Sequence, residues 1–525
     1  MTTHRWPVRQ LAWPSAVVAA SACLFAAYLA QSARGAAVNS DGASNALQAW
    51  DMLHGNLLLH GWALADVSFY TTDMPQYMLV EAVRGLSPDV VHIAAALTYT
   101  LLVLLAGWLA KGRATGPEGI ARVLVASGIM LAPEYGAGTR LLLFQPDHIA
   151  TCVPLLAAWL LVDRAGSLST SWPRWLAPVL VAGLLTWAAV GDPLAELIGA
   201  LPLAAVCGLR AYRAVLVRRQ RLAACWIELS LGGAALVSVP AASLVTGFIA
   251  ASGGWTATPA RTTFAAASMW PHNAVLTSQG LLRLFGADFT GQPLDGQALF
   301  ALVHLAGAGL AGWACCRAAR RFLTAELLVQ VLAAAIAINV AAYTLTVQAG
   351  DISRTREMAA VLPFGAVLAG RLLAGRLLAA RLAPGLAIVL AAYAGMVFAD
   401  VVQPPVPAST ADLAAWLAAH DLTQGLAGYW QANIVTLDSR NAVQVRAVAM
   451  NRGKLVGQSY WDGRPAWYDP ATHDADFVVS TGTARWQDQP LIRRAEAAAG
   501  RPAQVYHFGP YTIAVWHRNL LSRLR

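Results

Sequence analysis

Charge is scarce in this sequence. Only 12% of its 525 residues are Asp, Glu, Lys or Arg, against about 25% in ordinary soluble domains. So few charges cannot clothe a water-soluble globule of this length, and that class is excluded. Acid is scarcer still, with 28 Asp and Glu in all. The six cysteines (Cys23, Cys152, Cys207, Cys225, Cys315 and Cys316) all lie in or beside apolar runs. That placement offers no disulfide framework and no zinc-ligand spacing. The sequence also lacks a P-loop, a GxGxxG following a strand, an HExxH and a CxxC pair, so ATP-driven transport by this chain is not expected. The first apolar run carries no small-residue cleavage site that stands out, which makes it a retained anchor and not a removed signal peptide.

Apolar residues fill the gap. They make up 57% of the chain, and the mean hydropathy is +0.51. Runs of roughly 18 residues or more are long enough to cross a ~30 Å hydrocarbon layer. They fall near 12–31, 91–110, 118–133, 148–163, 176–190, 193–210, 223–250, 298–316, 324–347, 358–375 and 384–402. Backbone inside a bilayer must satisfy its own hydrogen bonds, so the expected fold is an all-α polytopic membrane protein of about eleven transmembrane helices.

The arginines orient it. Arg5 and Arg9 precede the first run. Lys111 and Arg113, then Arg164 and Arg174, then Arg210, Arg213, Arg218, Arg219 and Arg221 follow on alternate loops, as do Arg317, Arg320 and Arg321, and finally Arg371, Arg376 and Arg381. The positive-inside rule then expects a cytoplasmic N-terminus in the cell membrane, with the first loop and the tail outside. The net charge of +9 is accordingly a topology signal beside anionic headgroups, and no nucleic-acid partner is expected.

Outside the membrane two stretches stand out. The loop 33–88 carries Asp41, Asp51, Asp66, Asp73 and Glu81 interleaved with Trp50, Trp62, Phe69, Tyr70 and Tyr77. Leu47, Trp50, Leu53 and Leu57 recur at helical spacing, as do Met74, Met78, Ala82 and Leu86 behind Pro75. Such helices are expected to lie in the interface, apolar side down. Gln403-Pro-Pro-Val-Pro407 then stiffens a linker. The expected division is a membrane domain over 1–402 and an extracytoplasmic α/β domain over 403–525. In that tail Ser409-Thr-Ala-Asp412 is expected to cap a helix to about His420. Strands are expected at 443–449, 476–480 and 504–516, with a helix at 490–499.

Asp41, in the turn Asn39-Ser-Asp-Gly42, is the first candidate for chemistry. A carboxylate near hydrocarbon tends towards a raised pKa, which suits a general base near neutral pH. Its competing role is a helix cap. Asp66 is the second candidate, against a role as a surface turn acid. Asp51, Asp73 and Glu81 read as solvated surface. Arg354 and Arg356 stand on the side otherwise poor in arginine, and guanidinium groups suit phosphate; the alternative is pairing with Asp351 or Glu357. Asp147 and His148 open the fourth run, and a histidine there is either structural or functional. Arg140 and Arg261 are weaker phosphate candidates.

The cytoplasmic N-terminus, the long first outer loop of amphipathic helices and the acid soon after the first run together resemble the GT-C-fold integral-membrane glycosyltransferases. That group includes the protein O-mannosyltransferases and the lipid A aminoarabinose transferases. The stretches Gly55-Asn-Leu-Leu-Leu-His-Gly-Trp62 and Asp66-Val-Ser-Phe-Tyr-Thr-Thr-Asp-Met-Pro75 look like the same loop in uncharacterised actinobacterial relatives, and Gly425-Leu-Ala-Gly-Tyr-Trp430 is similar to their appended outer domains. The resemblance covers 1–402 chiefly. It implies Asp41 as catalytic base, with Arg354 and Arg356 on the lipid phosphate and His148 assisting that phosphate or a metal. The family often shows two adjacent acids after the first span; here Asp41 stands between Ser40 and Gly42. No metal ligand set is identified and no cofactor is required, although a divalent cation stays open.

The implied reaction is an inverting single displacement. A polyprenyl-phosphate donor, held among membrane lipid, would pass a hexosyl or pentosyl group to a cell-envelope glycan, lipid or protein acceptor. Two other classes stay open: a transporter or flippase of lipid-linked sugars, and a non-catalytic membrane scaffold. A transporter would carry an internal repeat and paired polar groups at mid-span. No repeat is visible, and Glu196 and Glu228 are the main mid-span acids.

Overall fold

The computed structural model describes residues 8–133, 139–144, 147–165, 175–258, 262–291, 293–294, 296–379, 381–406, 410–481 and 491–524. Arg5, Arg174, Arg261 and Ser409, and the side chains of Arg9 and Arg140, lie outside the described residues. The protein is a multi-pass α-helical membrane protein with a small α/β fold near its C-terminus. Each of the eleven apolar runs is helical. Among the described residues, eight helices are long and apolar enough to cross a membrane. The other three runs give the shorter helices Gly116–Met130, Cys152–Ala165 and Leu176–Gly191. All six cysteines are free thiols.

The chain divides into two compact units. The bundle unit comprises Met1–Ala36, Ala95–Ala242 and Thr262–Pro405. Its helix Val361–Ala379 is enclosed along most of its length, whereas Pro384–Val401 is almost wholly uncovered. Close approach explains the first. A Cβ on Gly370 would lie 2.6 Å from the Arg122 carbonyl oxygen and 2.9 Å from Ala110 Cβ, so only glycine admits the neighbouring helices at that distance. Apolar side chains such as Ile388 and Phe398 cover the second; they are the surface a bilayer would solvate.

The second unit comprises Ala37–Ala94, Ser243–Arg261 and Val406–Arg525, so the first long loop groups with the tail. Its six-stranded sheet runs in the order 454–457, 444–451, 424–427, 477–481, 511–515, 504–508. Gln424–Ala427 is parallel to both of its neighbours and the remaining pairs are antiparallel. Period-two alternation gives the sheet two apolar faces. Phe477, Val479 and Ile513 point towards Ala411–Ala419 and Tyr429–Asp438. Val478 and Ala514 point towards Leu491–Ala499. Gly425 has no room for a side chain, since a Cβ would meet the Phe477 ring. The strand Gln424–Ala427, the helix Tyr429–Asp438 and the strand Lys454–Gly457 were not expected. The strands are too short to show a period, and the helix is buried on nearly every side, so no one-sided apolar face marks it.

Two sequence expectations need correction. The helix Ser40–Leu53 does not lie polar side out: Ser40, Gly42 through Ala49 and Met52 are all buried. It packs on Met74–Arg84 and on Tyr429–Asp438, and Asn433 Nδ2 donates to Ser44 Oγ at 2.7 Å. Its non-leucine face is alanine, serine and asparagine, small enough to be enclosed when each polar group finds a partner. In the tail helix Thr410 is the N-cap residue but makes no capping bond. Its hydroxyl instead donates to Asp438 Oδ2 at 2.7 Å.

Candidate active site

The carboxylates of the second unit sort themselves by partner. Asn39, not Asp41, caps the helix Ser40–Leu53: its side-chain oxygen accepts from the Gly42 N–H at 2.8 Å. Asp41 is thereby released from the capping role and sits in the first turn, partly exposed, where the helix dipole favours its charge. The Tyr429 hydroxyl donates to Asp41 Oδ1 at 2.5 Å. The same hydroxyl oxygen lies 3.0 Å from Asp462 Oδ2. Asp462 is buried and accepts from Gln48 Nε2 at 2.9 Å and from the Ala65 N–H at 3.2 Å.

A single hydroxyl proton cannot serve two carboxylates at once. Burial, and then the charge of Asp41, push the Asp462 carboxyl up to about 7, against the hydrogen bonds it accepts. Burial and the charges of Asp462 and Asp41 hold the Tyr429 hydroxyl well above its usual range, so it keeps its proton. With Asp462 protonated, both short contacts are satisfied: the acid donates to the tyrosine oxygen, and the tyrosine donates to Asp41. The result is a proton chain ending on a carboxylate that is itself partly exposed.

The remaining acids of the loop are less alike than the sequence suggested. Asp66 is partly buried in the bend after Ala63–Leu64, next to the Ala65 N–H that meets Asp462. Asp51, Asp73 and Glu81 are not solvated surface. Asp51 accepts from Trp62 Nε1 at 2.8 Å and Asn56 Nδ2 at 2.7 Å, and faces Arg464 at 3.3 Å. Asp73 and Glu81 are buried, and Thr72 Oγ1 donates to Asp73 Oδ2 at 2.9 Å. Burial pushes the Glu81 carboxyl up to about 9, so it is neutral at pH 7. Each acid avoided exposure in a different way, which the spacing of apolar residues alone does not reveal.

In the bundle unit a second cluster gathers around His148. Its Nδ1 lies 2.8 Å from Asp192 Oδ2 and its Nε2 lies 3.2 Å from Glu357 Oε2. Thr151 Oγ1 donates to Asp192 Oδ2 at 2.6 Å and the Leu194 N–H to its Oδ1 at 2.9 Å. Burial disfavours the imidazolium, but the Asp192 and Glu357 charges outweigh it and hold His148 well above its ordinary value. Burial would raise Glu357, yet His148, Arg356 and Arg354 together hold it below the usual range. Asp147 is pushed up to about 6 by burial, against the charges of Arg356 and His148.

Arg354 and Arg356 lie in the short helical turn Ile352–Met358, which Asp351 caps by accepting from the Ser353 N–H at 2.9 Å. Both arginines are exposed. Arg354 Nη1 donates to Gln348 Oε1 at 2.6 Å, while its charge also bears on Asp351 and Glu357. Arg356 and His148 both bear on Glu357. His148 itself is closed at both ring nitrogens. Among the described residues no group of three His, Cys, Asp or Glu side chains is placed to hold a metal ion.

Tyr429 and Asp462 are the residues the sequence did not single out. Tyr429 belongs to Gly425-Leu-Ala-Gly-Tyr-Trp430, and Asp462 precedes Gly463 in a turn where its own φ is 47°. An Asp-Gly pair signals a turn, but not the carboxylate it will meet.

No protein-family model matches the chain, and no curated protein matches it either. Among solved structures, the chain is similar to the oligosaccharyltransferase of Archaeoglobus fulgidus in its apo form, with 12% identity over 88% of this chain and 69% of that chain and a TM-score of 0.47. It is also similar to ArnT from Cupriavidus metallidurans in the apo state, with 15% identity over 98% of this chain and 99% of that chain and a TM-score of 0.45. For ArnT bound to undecaprenyl phosphate the identity is 14%, the coverage 96% and 98%, and the TM-score 0.44. At such identities the chemistry has to come from the chain's own residues.

Proposed function

We propose that this protein is a membrane glycosyltransferase of the GT-C type, moving a hexosyl or pentosyl group from a polyprenyl-phosphate donor to an extracytoplasmic glycan, lipid or protein acceptor. The observation that carries the proposal is the chain Asp462–Tyr429–Asp41, in which a buried acid and a tyrosine hold one partly open carboxylate. The alternation of arginine-rich loops supports a cytoplasmic N-terminus and an extracytoplasmic second unit.

Asp41 is the base. Its carboxylate takes the proton of the acceptor hydroxyl as that oxygen attacks the anomeric carbon. The bond from that carbon to the phosphate oxygen breaks, the electron pair leaves with the phosphate, and the configuration inverts. Tyr429 fixes the orientation of the carboxylate through Oδ1, and the Asn39 amide lies 3.5 Å from Oδ2. Asp462 positions Tyr429 and does not touch the acceptor in this scheme. Asp66 stays a reserve acid on the adjoining bend. In the bundle unit, Arg354 and Arg356 are assigned to the phosphate of the lipid, where charge develops as the bond breaks. His148 is assigned a positioning role, holding Glu357 at the end of the arginine-bearing turn. No step is routed through a metal.

The test is transfer from a labelled polyprenyl-phosphate sugar in membranes holding the wild type or Asp41→Asn. The amide is expected to lose most of the transfer. Transfer equal to wild type in that variant would remove Asp41 from the mechanism.

A further inference from the structure

The arginine-rich end of the bundle unit holds two adjoining cavities that differ in how their charges are balanced. The larger, about 580 Å³, is self-neutralised. Arg122 meets Glu118 at 2.6 Å, Arg210 meets Glu228 at 3.3 Å, and Arg371 meets Asp163 at 2.6 Å. Every one of those guanidinium groups has its carboxylate within the protein. A ligand entering there would have to displace an existing pair.

The smaller cavity, about 260 Å³, is different. Arg122, Arg317, Arg321 and Arg371 line it, and Glu326 is its one acid. Arg371 is held in place by the Leu109 carbonyl at 2.9 Å and by Asp163, and it also meets Glu326 at 3.4 Å, with its side chain only 5% exposed. Arg317 and Arg321 form no ion pair among the described residues. Arg317 also sits in the field of Arg376. Arg317 and Arg321 thus share one cleft at the end of the span Ala298–Arg320, which is headgroup depth. At ~30 Å³ per water, the cavity has room for a phosphodiester and its flanking oxygens.

We infer that this cleft binds the phosphodiester of an anionic phospholipid headgroup, with Arg317 and Arg321 as its direct contacts and Arg371 as a preorganised wall. A planar guanidinium matches phosphate oxygens in pairs, and the bound anion would relieve the crowding of like charges. Placement at the end of a span favours a lipid over a soluble source. The site is independent of Asp41 and of the reaction assigned above.

The full-length protein in nanodiscs or vesicles tests this. Wild type and Arg317→Gln/Arg321→Gln are compared in phosphatidylglycerol, in phosphatidylcholine alone, and in phosphatidylcholine with added inorganic phosphate. Arg493→Gln/Arg494→Gln, two exposed tail arginines, is the control for loss of net charge. Retention of phosphatidylglycerol, read by mass spectrometry of the released complex, is expected to fall on the order of thirtyfold in the Arg317/Arg321 variant. The control is expected to retain the lipid as wild type does. Thermal protection by phosphatidylglycerol should follow the same pattern. Protection by inorganic phosphate without phosphatidylglycerol binding would overturn the lipid source. Equal lipid retention in wild type and in the Arg317/Arg321 variant would overturn the site.

Discussion

Two carboxylate clusters, one in each unit, handle buried charge in opposite ways. Around His148 the charges are complete: a cation sits between Asp192 and Glu357, and Thr151 and a backbone N–H take the remaining lone pairs. Around Asp462 the charge is removed instead, since burial and Asp41 push its carboxyl up to about 7. A compensated cluster is closed and rigid. A proton-sharing cluster leaves one member, Asp41, partly exposed. The second arrangement is the one suited to moving protons, and the first to holding a turn in place.

The comparison breaks most sharply at Asp41. If it is the base, Asp41→Asn lowers the rate of transfer by roughly 10²–10⁴-fold, with the folded protein unchanged because the amide can still accept from Tyr429. Initial rates with saturating labelled donor measure this. If the Asp41 cluster were only structural, the loss would appear in the melting temperature and not in the rate.

The closed cluster should fail the other way. His148→Gln leaves Asp192 and Glu357 facing each other without a cation, and breaking a buried pair costs about 3–5 kcal/mol. A drop in melting temperature on the order of 10 °C is expected. The pH dependence has a definite sign. The folded-state value of His148 is raised well above 6.5, so its stabilisation is fully present below the unfolded value and is lost as pH rises through the folded one. The penalty of the variant should therefore be largest in mildly acidic buffer and shrink in alkaline buffer. Melting curves across pH read it directly.

A smaller effect separates positioning from structure in the open cluster. Asp462 is raised from an ordinary ~3.9 to about 7, so the folded protein binds a proton that the unfolded chain sheds. Between those values stability falls as pH rises, and Asp462→Asn should abolish that slope. The transfer rate of the wild type should show an inflection near pH 7 that the asparagine variant lacks. Tyr429→Phe removes the hydroxyl that both carboxylates share, so it should shift the inflection. An unchanged profile in both variants would confine Asp462 and Tyr429 to packing.

Much of this was legible in the sequence, and what was not has a physical cause. Helical runs are readable because a bilayer demands long apolar segments, and each expected run is a helix. Asp41 stands out as a candidate because acids are scarce and its turn follows the first span. Tyr429 and Asp462 do not, because they reach Asp41 from more than 380 positions along the chain, a contact no local pattern encodes. The helix Ser40–Leu53 was found but misplaced. Its leucine spacing fits an interfacial helix, and only the partners of Ser44 and Gln48 show that its polar side is enclosed as well.

Asp51 gives the smallest expected effect and the cleanest control. It shares with Asp41 the same acidic loop of the sequence and the same helix, Ser40–Leu53, of the structure. In the structure it is a latch, holding Trp62 and Asn56 and facing Arg464. Its side chain is 27% exposed, so the ion pair contributes little after solvent screening. The two hydrogen bonds to a charged oxygen contribute more. Asp51→Asn keeps the shape and one acceptor, and should cost about 1 kcal/mol. That is a fall of a few degrees in melting temperature, with transfer unchanged. A loss of transfer as deep as that of Asp41→Asn would mean that the loop works as one acidic surface, and that the partners of each carboxylate do not decide its role.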